Sequence, residues 1–181
     1  MQAAARFVEE LADATIGRTF NQYADSELRR ARLAAYLEAR CRTRLLLVGE
    51  AAGYRGASVS GIPFTSERQL SGTGAAEATA SIVHRVLAEL DLETDVLLWN
   101  VVPTHPGTRT SNRRPSRAEI GDGLRFLDPL QRGRRVIAVG RIAAEATGAP
   151  YVRHPSHGGA RAFRTGLVEL LDRGHFLSGP A

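Results

Sequence analysis

The chain contains a single cysteine, Cys41, among its 181 residues. One thiol excludes a disulfide within the chain and any iron–sulfur cluster held by four cysteines of one chain. Long apolar runs are missing too, since no stretch approaches the roughly 20 apolar residues of a membrane-spanning helix. Glu9 and Glu10 occupy the region where a signal peptide would have its apolar stretch. We therefore expect a cytoplasmic protein without a membrane segment.

Lysine is absent, so all 24 basic residues are arginine and the net charge is +5. This excess favours phosphate-bearing partners, because guanidinium groups bind phosphate oxygens in a fork-shaped geometry. A genome biased toward GC-rich codons explains the missing lysines equally well, so the positions of the arginines are more informative than their number. They cluster at 109–117, 132–135 and 153–164, each beside a predicted strand end or loop.

Several common motifs are also missing. The segment Gly-Glu-Ala-Ala-Gly-Tyr-Arg-Gly at 49–56 follows a predicted strand but lacks the dinucleotide-binding pattern G-x-G-x-x-G. Without lysine it is not a G-x-x-x-x-G-K-[ST] phosphate loop, and the chain has no G-x-S-x-G elbow of a serine hydrolase. His105, His154 and His157 raise the alternative of a zinc site, but no cysteine or acidic residue has metal-ligand spacing. We expect no metal and no cofactor.

The chain does contain alternating apolar strands and amphipathic helices. Strands are predicted at Leu45–Val48, Val96–Trp99, Val136–Val139 and Tyr151–Val152. Helices are predicted at Ala5–Ile16, Asp25–Cys41, Glu77–Leu90, Ser116–Leu130 (capped by Ser116), Ile142–Ala146 and Ala160–Leu171. The alternation predicts an α/β fold, a three-layer α/β/α sandwich with a central four-stranded, mainly parallel sheet.

The length fits one domain. Residues 1–43 are expected to form N-terminal helices, residues 44–172 the core, and residues 173–181 a flexible tail. Residues 51–73 and 103–115 contain no predicted helix or strand and exceed the usual length of a connection, which is typical of binding loops.

Polar and glycine residues follow three of the predicted strands. Gly49 to Gly53 follow the first strand, Asn100 ends the second, and His154 follows the last. Because ligands bind outside the carboxyl ends of strands in open α/β sheets, these residues predict one pocket. Asn100 either caps a turn or reads the edge of a base, and Phe64, in Gly-Ile-Pro-Phe, either covers the core or stacks on a flat heterocycle.

Taken in this order, the segments resemble the uracil-DNA glycosylase superfamily over residues 45–167. Gly-Glu-Ala-Ala-Gly at 49–53 is similar to the first motif of the family (GQDPY, GINPG or GEAPG), with Ala52 in place of proline. Phe64 looks like the uracil-stacking phenylalanine, and Asn100 looks like the asparagine that reads the base. His-Pro-Ser-His-Gly-Gly at 154–159 is similar to the segment with the leaving-group histidine and the minor-groove loop.

The resemblance implies a monofunctional, metal-free and monomeric glycosylase of base-excision repair, which excises uracil from single- or double-stranded DNA and leaves an abasic site. Catalysis would rest on His154, which stabilises the leaving anion, and on Glu50 as the nearest carboxylate, for which a structural role stays open. The substrate would be bound by Gly49, Ala51, Ala52, Gly53, Tyr54, Phe64 and Asn100. DNA would be bound by Arg153, Ser156, His157, Gly158, Arg161 and Arg164.

The chain departs from the family in three further respects. It lacks the four cysteines of the iron–sulfur branch, and Ala51 stands where other branches carry a water-positioning acid or amide. Gly53 stands where some branches have a tyrosine that excludes the thymine methyl group, so we expect Tyr54 to take that role. Two other functions stay open: a catalytically weak uracil- or DNA-binding module, and an unrelated nucleotide hydrolase with a phosphate-binding turn at Gly49.

Overall fold

The computed structural model describes residues 2–173. Of the tail expected at 173–181, residues 174–181 lie outside this range. The described chain runs α1 (Gln2–Ala12), α2 (Glu27–Ala39), β1 (Leu45–Ala51), α3 (Ala57–Ser60), α4 (Glu67–Ser71), α5 (Ala78–Glu89), β2 (Val96–Val102), α6 (Arg117–Gln131), β3 (Arg135–Val139), α7 (Arg141–Thr147), β4 (Tyr151–Val152) and α8 (Ala160–Asp172). No helix between residues 2 and 173 combines the length and the apolar composition needed to cross a membrane.

The four strands form one parallel sheet in the order β2-β1-β3-β4. Successive residues of β1 face opposite layers: Leu46 and Val48 pack among α1, α2 and α6, whereas Leu45 and Leu47 pack against α5 and α8. Strand β2 alternates in the same way, and the fully buried Trp99 lies in the first of these two layers. The predicted α/β/α sandwich around a four-stranded parallel sheet is therefore confirmed.

Two boundaries differ from the prediction in a way that affects the site. Strand β1 continues to Ala51 instead of ending at Val48, and β2 continues to Val102 instead of Trp99. The ladder of backbone hydrogen bonds extends this far, pairing Gly49 with Asn100 and Ala51 with Val102. The first residues of the presumed turn are thus strand residues, and Asn100 lies within a buried strand rather than at its end.

The stretch 51–73, expected to be irregular, contains the short helices α3 and α4. Each ends at a glycine in the left-handed conformation, Gly61 and Gly72, which residues with a Cβ atom rarely adopt. The stretch 103–115 contains no helix, as predicted.

Helix α2 braces the segment that carries Phe64. The Arg29 guanidinium donates from Nε to the Val59 carbonyl oxygen at 3.0 Å. The Arg32 guanidinium donates to both carboxylate oxygens of Glu67, at 2.8 and 3.0 Å. These bonds fix the segment on both sides of Phe64 to the N-terminal part of the fold.

Candidate active site

The carboxyl ends of β1 and β2 open into a cavity of about 320 Å³. The structure brings many of the predicted site residues together here: Glu50, Ala51, Ala52, Gly53, Phe64, Asn100 and His154. The same cavity is lined by residues that the sequence did not single out for the site, namely Ala57, Glu77, Thr79, Pro106, Asn112, Arg113 and Arg114.

Gly49 lies directly beneath the ring of Phe64 and the amide of Asn100. A Cβ atom on Gly49 would overlap Cζ of Phe64 and would stand 2.8 Å from Oδ1 of Asn100. Phe64 has a φ of 54°, a conformation unusual for a side chain of this size. The neighbouring loop hydrogen bonds hold it there, among them the bond from Ser60 Oγ to the Thr65 carbonyl oxygen at 2.6 Å. The ring and the amide are therefore fixed next to each other at the floor of the cavity.

His154 is held by Ser156, two residues further along the chain. The Ser156 backbone N–H donates to Nδ1 of His154 at 3.2 Å, and the Ser156 hydroxyl lies 2.8 Å from the same nitrogen. Because Nδ1 accepts, the proton of the neutral imidazole is on Nε2. Burial lowers the pKa of His154, and the nearby His157 lowers it further. At neutral pH His154 is thus an uncharged donor through Nε2.

Two carboxylates line the cavity, Glu50 and Glu77. Burial raises the pKa of both side chains above the ordinary value of a glutamate. The charge of Arg114 opposes the rise at Glu50, and that of His105 opposes it at Glu77. Desolvation outweighs these charges, so both carboxyls are more basic than in water.

Tyr54 lies outside the cavity. It lines a separate groove with Phe20 and Arg109, and the Arg55 guanidinium stands 5.3 Å from the centre of its ring. Its backbone N–H donates to Oδ1 of Asn112 at 2.9 Å, which ties the β1 turn to the 103–115 loop. The structure therefore does not bring the Tyr54 ring together with the other predicted substrate-binding residues.

The predicted DNA-binding residues are divided between a loop and a helix. A second depression is lined by Arg153, Ser156 and His157 together with His154. Gly158 follows with a φ of 75°. Arg161 is exposed in the first turn of α8, while the Arg164 guanidinium donates to the Glu89 carboxylate at 3.0 Å.

His105 is not arranged to share a metal with His154 and His157. Its Nδ1 lies 2.7 Å from the Ala52 carbonyl oxygen and its Nε2 lies 2.8 Å from that of Thr108. Carbonyl oxygens only accept, so the two bonds exist together only when both ring nitrogens carry a proton. Across residues 2–173, no three histidine, cysteine, aspartate or glutamate side chains are grouped so as to hold a metal ion.

Arg113 and Arg114, both in the 103–115 loop, line the cavity but interact with different carboxylates. Arg113 donates to both carboxylate oxygens of the buried Glu119, at 2.8 and 2.6 Å. Arg114 remains exposed and its charge acts on Glu50. The arginine cluster at 109–117 was the sequence signal for this loop, but nothing in it indicated which arginine faces the pocket.

The comparisons with known proteins agree with this architecture. A family model described as the uracil DNA glycosylase superfamily matches residues 37–171. The chain therefore belongs to the uracil DNA glycosylase superfamily. It is also similar to the crystal structure of wild-type SMUG2 from Pedobacter heparinus, with a TM-score of 0.69 and 14% identity over 94% of this chain and 97% of that chain. At this identity the likeness shows the fold alone. None of the curated protein sequences matches the chain.

Proposed function

We propose that the protein excises uracil from DNA by hydrolysing the N-glycosidic bond and leaves an abasic site. The observation that carries the proposal is the convergence of an aromatic ring, a strand amide and a neutral histidine, Phe64, Asn100 and His154, on one cavity. The proposed enzyme is monofunctional, works as a monomer and needs no metal.

Recognition requires the base to leave the helix. Flipping a nucleotide costs a few kcal/mol, which stacking and hydrogen bonds to the base edge offset. Phe64 supplies the stacking face beside Gly49. The amide of the buried Asn100 makes no hydrogen bond to another residue within residues 2–173. Its oxygen is therefore free to accept from uracil N3–H, and its NH2 group is free to donate to uracil O4. Cytosine reverses that donor–acceptor pattern and would leave buried polar groups unpaired.

Cleavage leaves the electron pair of the glycosidic bond on uracil. The C1′–N1 bond breaks, negative charge develops on the base, and the oxygen of a water molecule bonds to C1′ as one of its protons passes to a general base. A donor aimed at uracil O2 stabilises this charge, and the Nε2–H of His154 provides it. Preorganised donors of this kind contribute about 3–4 kcal/mol to the transition state.

The DNA backbone is bound by residues outside the cavity. The segment with Arg153, Ser156, His157 and Gly158 presses against the minor groove, and Arg161 neutralises a phosphate. Arg164, paired with Glu89, is the weaker contributor of the two arginines on α8.

The test is a gel assay on an oligonucleotide with one uracil, incubated with the protein in EDTA and then treated with alkali. We expect strand cleavage at the uracil and none in a matched oligonucleotide with thymine at that position. Binding without cleavage would identify a uracil- or DNA-binding module instead. If the protein neither binds nor cleaves the oligonucleotide, that result would favour a nucleotide hydrolase.

A further inference from the structure

The carboxylate of Glu77 lies against the turn after β1, at a place where the turn has no side chains. A Cβ atom on Gly53 would overlap Oε1 of Glu77 and would stand 3.1 Å from its Cδ. A Cβ atom on Gly56 would overlap Oε2 and would stand 2.8 Å from the same Cδ. The two carboxylate oxygens therefore fill the space that side chains at positions 53 and 56 would occupy.

The Glu77 backbone is fixed, but its carboxylate is not engaged. Glu77 is the N-cap of α5, and its carbonyl oxygen accepts from the Ser81 hydroxyl at 3.0 Å and from the Ser81 N–H at 3.0 Å. Within residues 2–173, no residue forms a hydrogen bond or an ion pair with its carboxylate, although Glu77 lines the cavity. Its oxygens are thus open to a ligand or a water molecule in the cavity.

Burial and the charges around Glu77 act on its pKa in opposite directions. The titratable groups that share the cavity or act on it are Glu50, His105, Arg113, Arg114 and His154. Burial raises the pKa of Glu77, and the doubly hydrogen-bonded ring of His105 opposes the rise. A carboxyl whose pKa lies above its ordinary value accepts a proton from water better than an ordinary one does.

Ala51 offers no polar group to hold the attacking water. Glu50 is the other carboxylate in the cavity, and each of the two carboxyls has a raised pKa that one nearby charge opposes. Position distinguishes them, because only the Glu77 carboxylate fills the space over Gly53 and Gly56. Glu77 therefore combines an open carboxylate, a fixed backbone and a position over the turn.

We propose that Glu77 orients the attacking water and accepts its proton during hydrolysis. This proposal rests on the proposed glycosylase function. As the C1′–N1 bond breaks and its electron pair leaves with uracil, the water oxygen bonds to C1′ and one water proton passes to an Oε atom of Glu77. The helix-capping residue of α5 thus supplies the carboxylate that the β1 turn lacks.

The first experiment measures single-turnover excision from a uracil oligonucleotide between pH 5 and pH 9. The wild-type rate should rise with pH as the Glu77 carboxyl loses its proton and then level off. Glu77→Gln keeps the size but not the basicity, so its plateau rate should fall by about a hundred- to ten-thousandfold and this pH dependence should disappear. On the plateau, Glu50→Gln should lose less activity than Glu77→Gln. Glu169→Gln, an exposed change on α8, should match the wild type.

A second measurement separates proton transfer from structure. Formate added to Glu77→Ala should restore excision in proportion to its concentration, whereas a purely structural carboxylate would not be replaced by a diffusing one. In Glu77→Gln, the melting temperature and the affinity for an oligonucleotide with a non-cleavable 2′-fluoro-2′-deoxyuridine should both stay close to those of the wild type. An active wild type with an equally active Glu77→Gln, or with a larger loss in Glu50→Gln, would overturn this proposal. A wild type that makes no abasic sites would instead overturn the proposed function.

Discussion

Asn100 stands opposite Gly49 in the parallel register of β1 and β2, and its amide oxygen lies 2.8 Å from the position of a Cβ atom on Gly49. That same atom would overlap the ring of Phe64. The ring and the amide can therefore meet above β1 only because residue 49 has no side chain. Glycine is required at this position for close approach rather than for a turn, since Gly49 belongs to the strand.

Gly49→Ala should reduce single-turnover excision by about a hundredfold, because a displacement of the ring or the amide of about 1 Å is costly to a positioned reaction. Overpacking should also lower the free energy of unfolding by about 1–3 kcal/mol. Rates and thermal melts of the same preparations test both effects. Gly121→Ala is the matched control, since an added Cβ there has no neighbour within 4 Å. If Gly49→Ala excises uracil like the control, Phe64 and Asn100 do not act together on the base.

Asn100→Asp should weaken the preference for uracil over cytosine, because an amide donor at the base edge becomes a carboxylate acceptor. Excision from U:G and C:G oligonucleotides, measured side by side, gives the ratio. Asn100→Ala should lose activity on uracil without gaining any on cytosine. Unchanged uracil activity and selectivity in Asn100→Asp would remove this amide from base recognition.

His154→Ala should lower turnover by about a hundredfold or more while DNA affinity stays nearly constant, because the lost donor acts on charge that appears only in the transition state. Ser156→Ala removes only the hydroxyl that lies 2.8 Å from Nδ1 and keeps the backbone N–H bond, so its loss should be smaller. Single-turnover rates at saturating enzyme, with binding titrations in parallel, separate the two effects. Equal rates in wild type and His154→Ala would contradict the assignment.

Arg161→Ala should weaken binding to uracil-containing and uracil-free DNA alike. If the side chain neutralises one phosphate, the slope of log affinity against log salt should fall by about one unit. Arg164→Ala is the comparison on the same helix, and it should change the slope less because the Glu89 carboxylate already accepts from that guanidinium. Titrations over a salt series measure both slopes, and an unchanged slope in Arg161→Ala removes it from the phosphate contacts.

Glu119→Gln should destabilise the fold in a pH-dependent way. Hydrogen bonds from Arg113 and from the backbone at Ser116 and Arg18 lower the pKa of Glu119 to about 2. A depressed carboxyl stabilises the fold above its unfolded pKa and loses this contribution as pH falls through its folded pKa. The free energy of unfolding of the wild type should therefore exceed that of the variant by about 1–3 kcal/mol at pH 7. This difference should shrink between about pH 5 and pH 2. Urea unfolding over that range measures it, and a pH-independent difference would contradict the role of this charge.

The sequence was sufficient to predict the order of the four strands and of the six longer helices, because each buried parallel strand is a short apolar run, but it did not indicate the short helices α3 and α4. It placed the end of β1 wrongly at Val48, since the next residues, Gly49 and Glu50, are not apolar. They are strand residues because β2 runs alongside and pairs with them. That pairing is a tertiary property with no local pattern in the chain.

The same distinction applies to the candidate site. Phe64, Asn100 and His154 lie in segments whose composition is informative on its own. Glu77 gave no such signal, because an acidic residue at the start of a helix is ordinary. Its position in the cavity depends on how the segment between α4 and α5 returns to the β1 turn. Tyr54 shows the converse: adjacent in sequence to the motif, its ring faces a different groove.

The family match begins at residue 37, within α2, yet Arg29 and Arg32 lie before it. Their bonds to Val59 and Glu67 secure the segment that presents Phe64. The segment that carries Phe64 is therefore positioned by residues that precede the matched region. A substitution of Arg29 or Arg32 would loosen that segment without changing any residue of the predicted site, so the candidate site depends on helix α2 as well as on its own motifs.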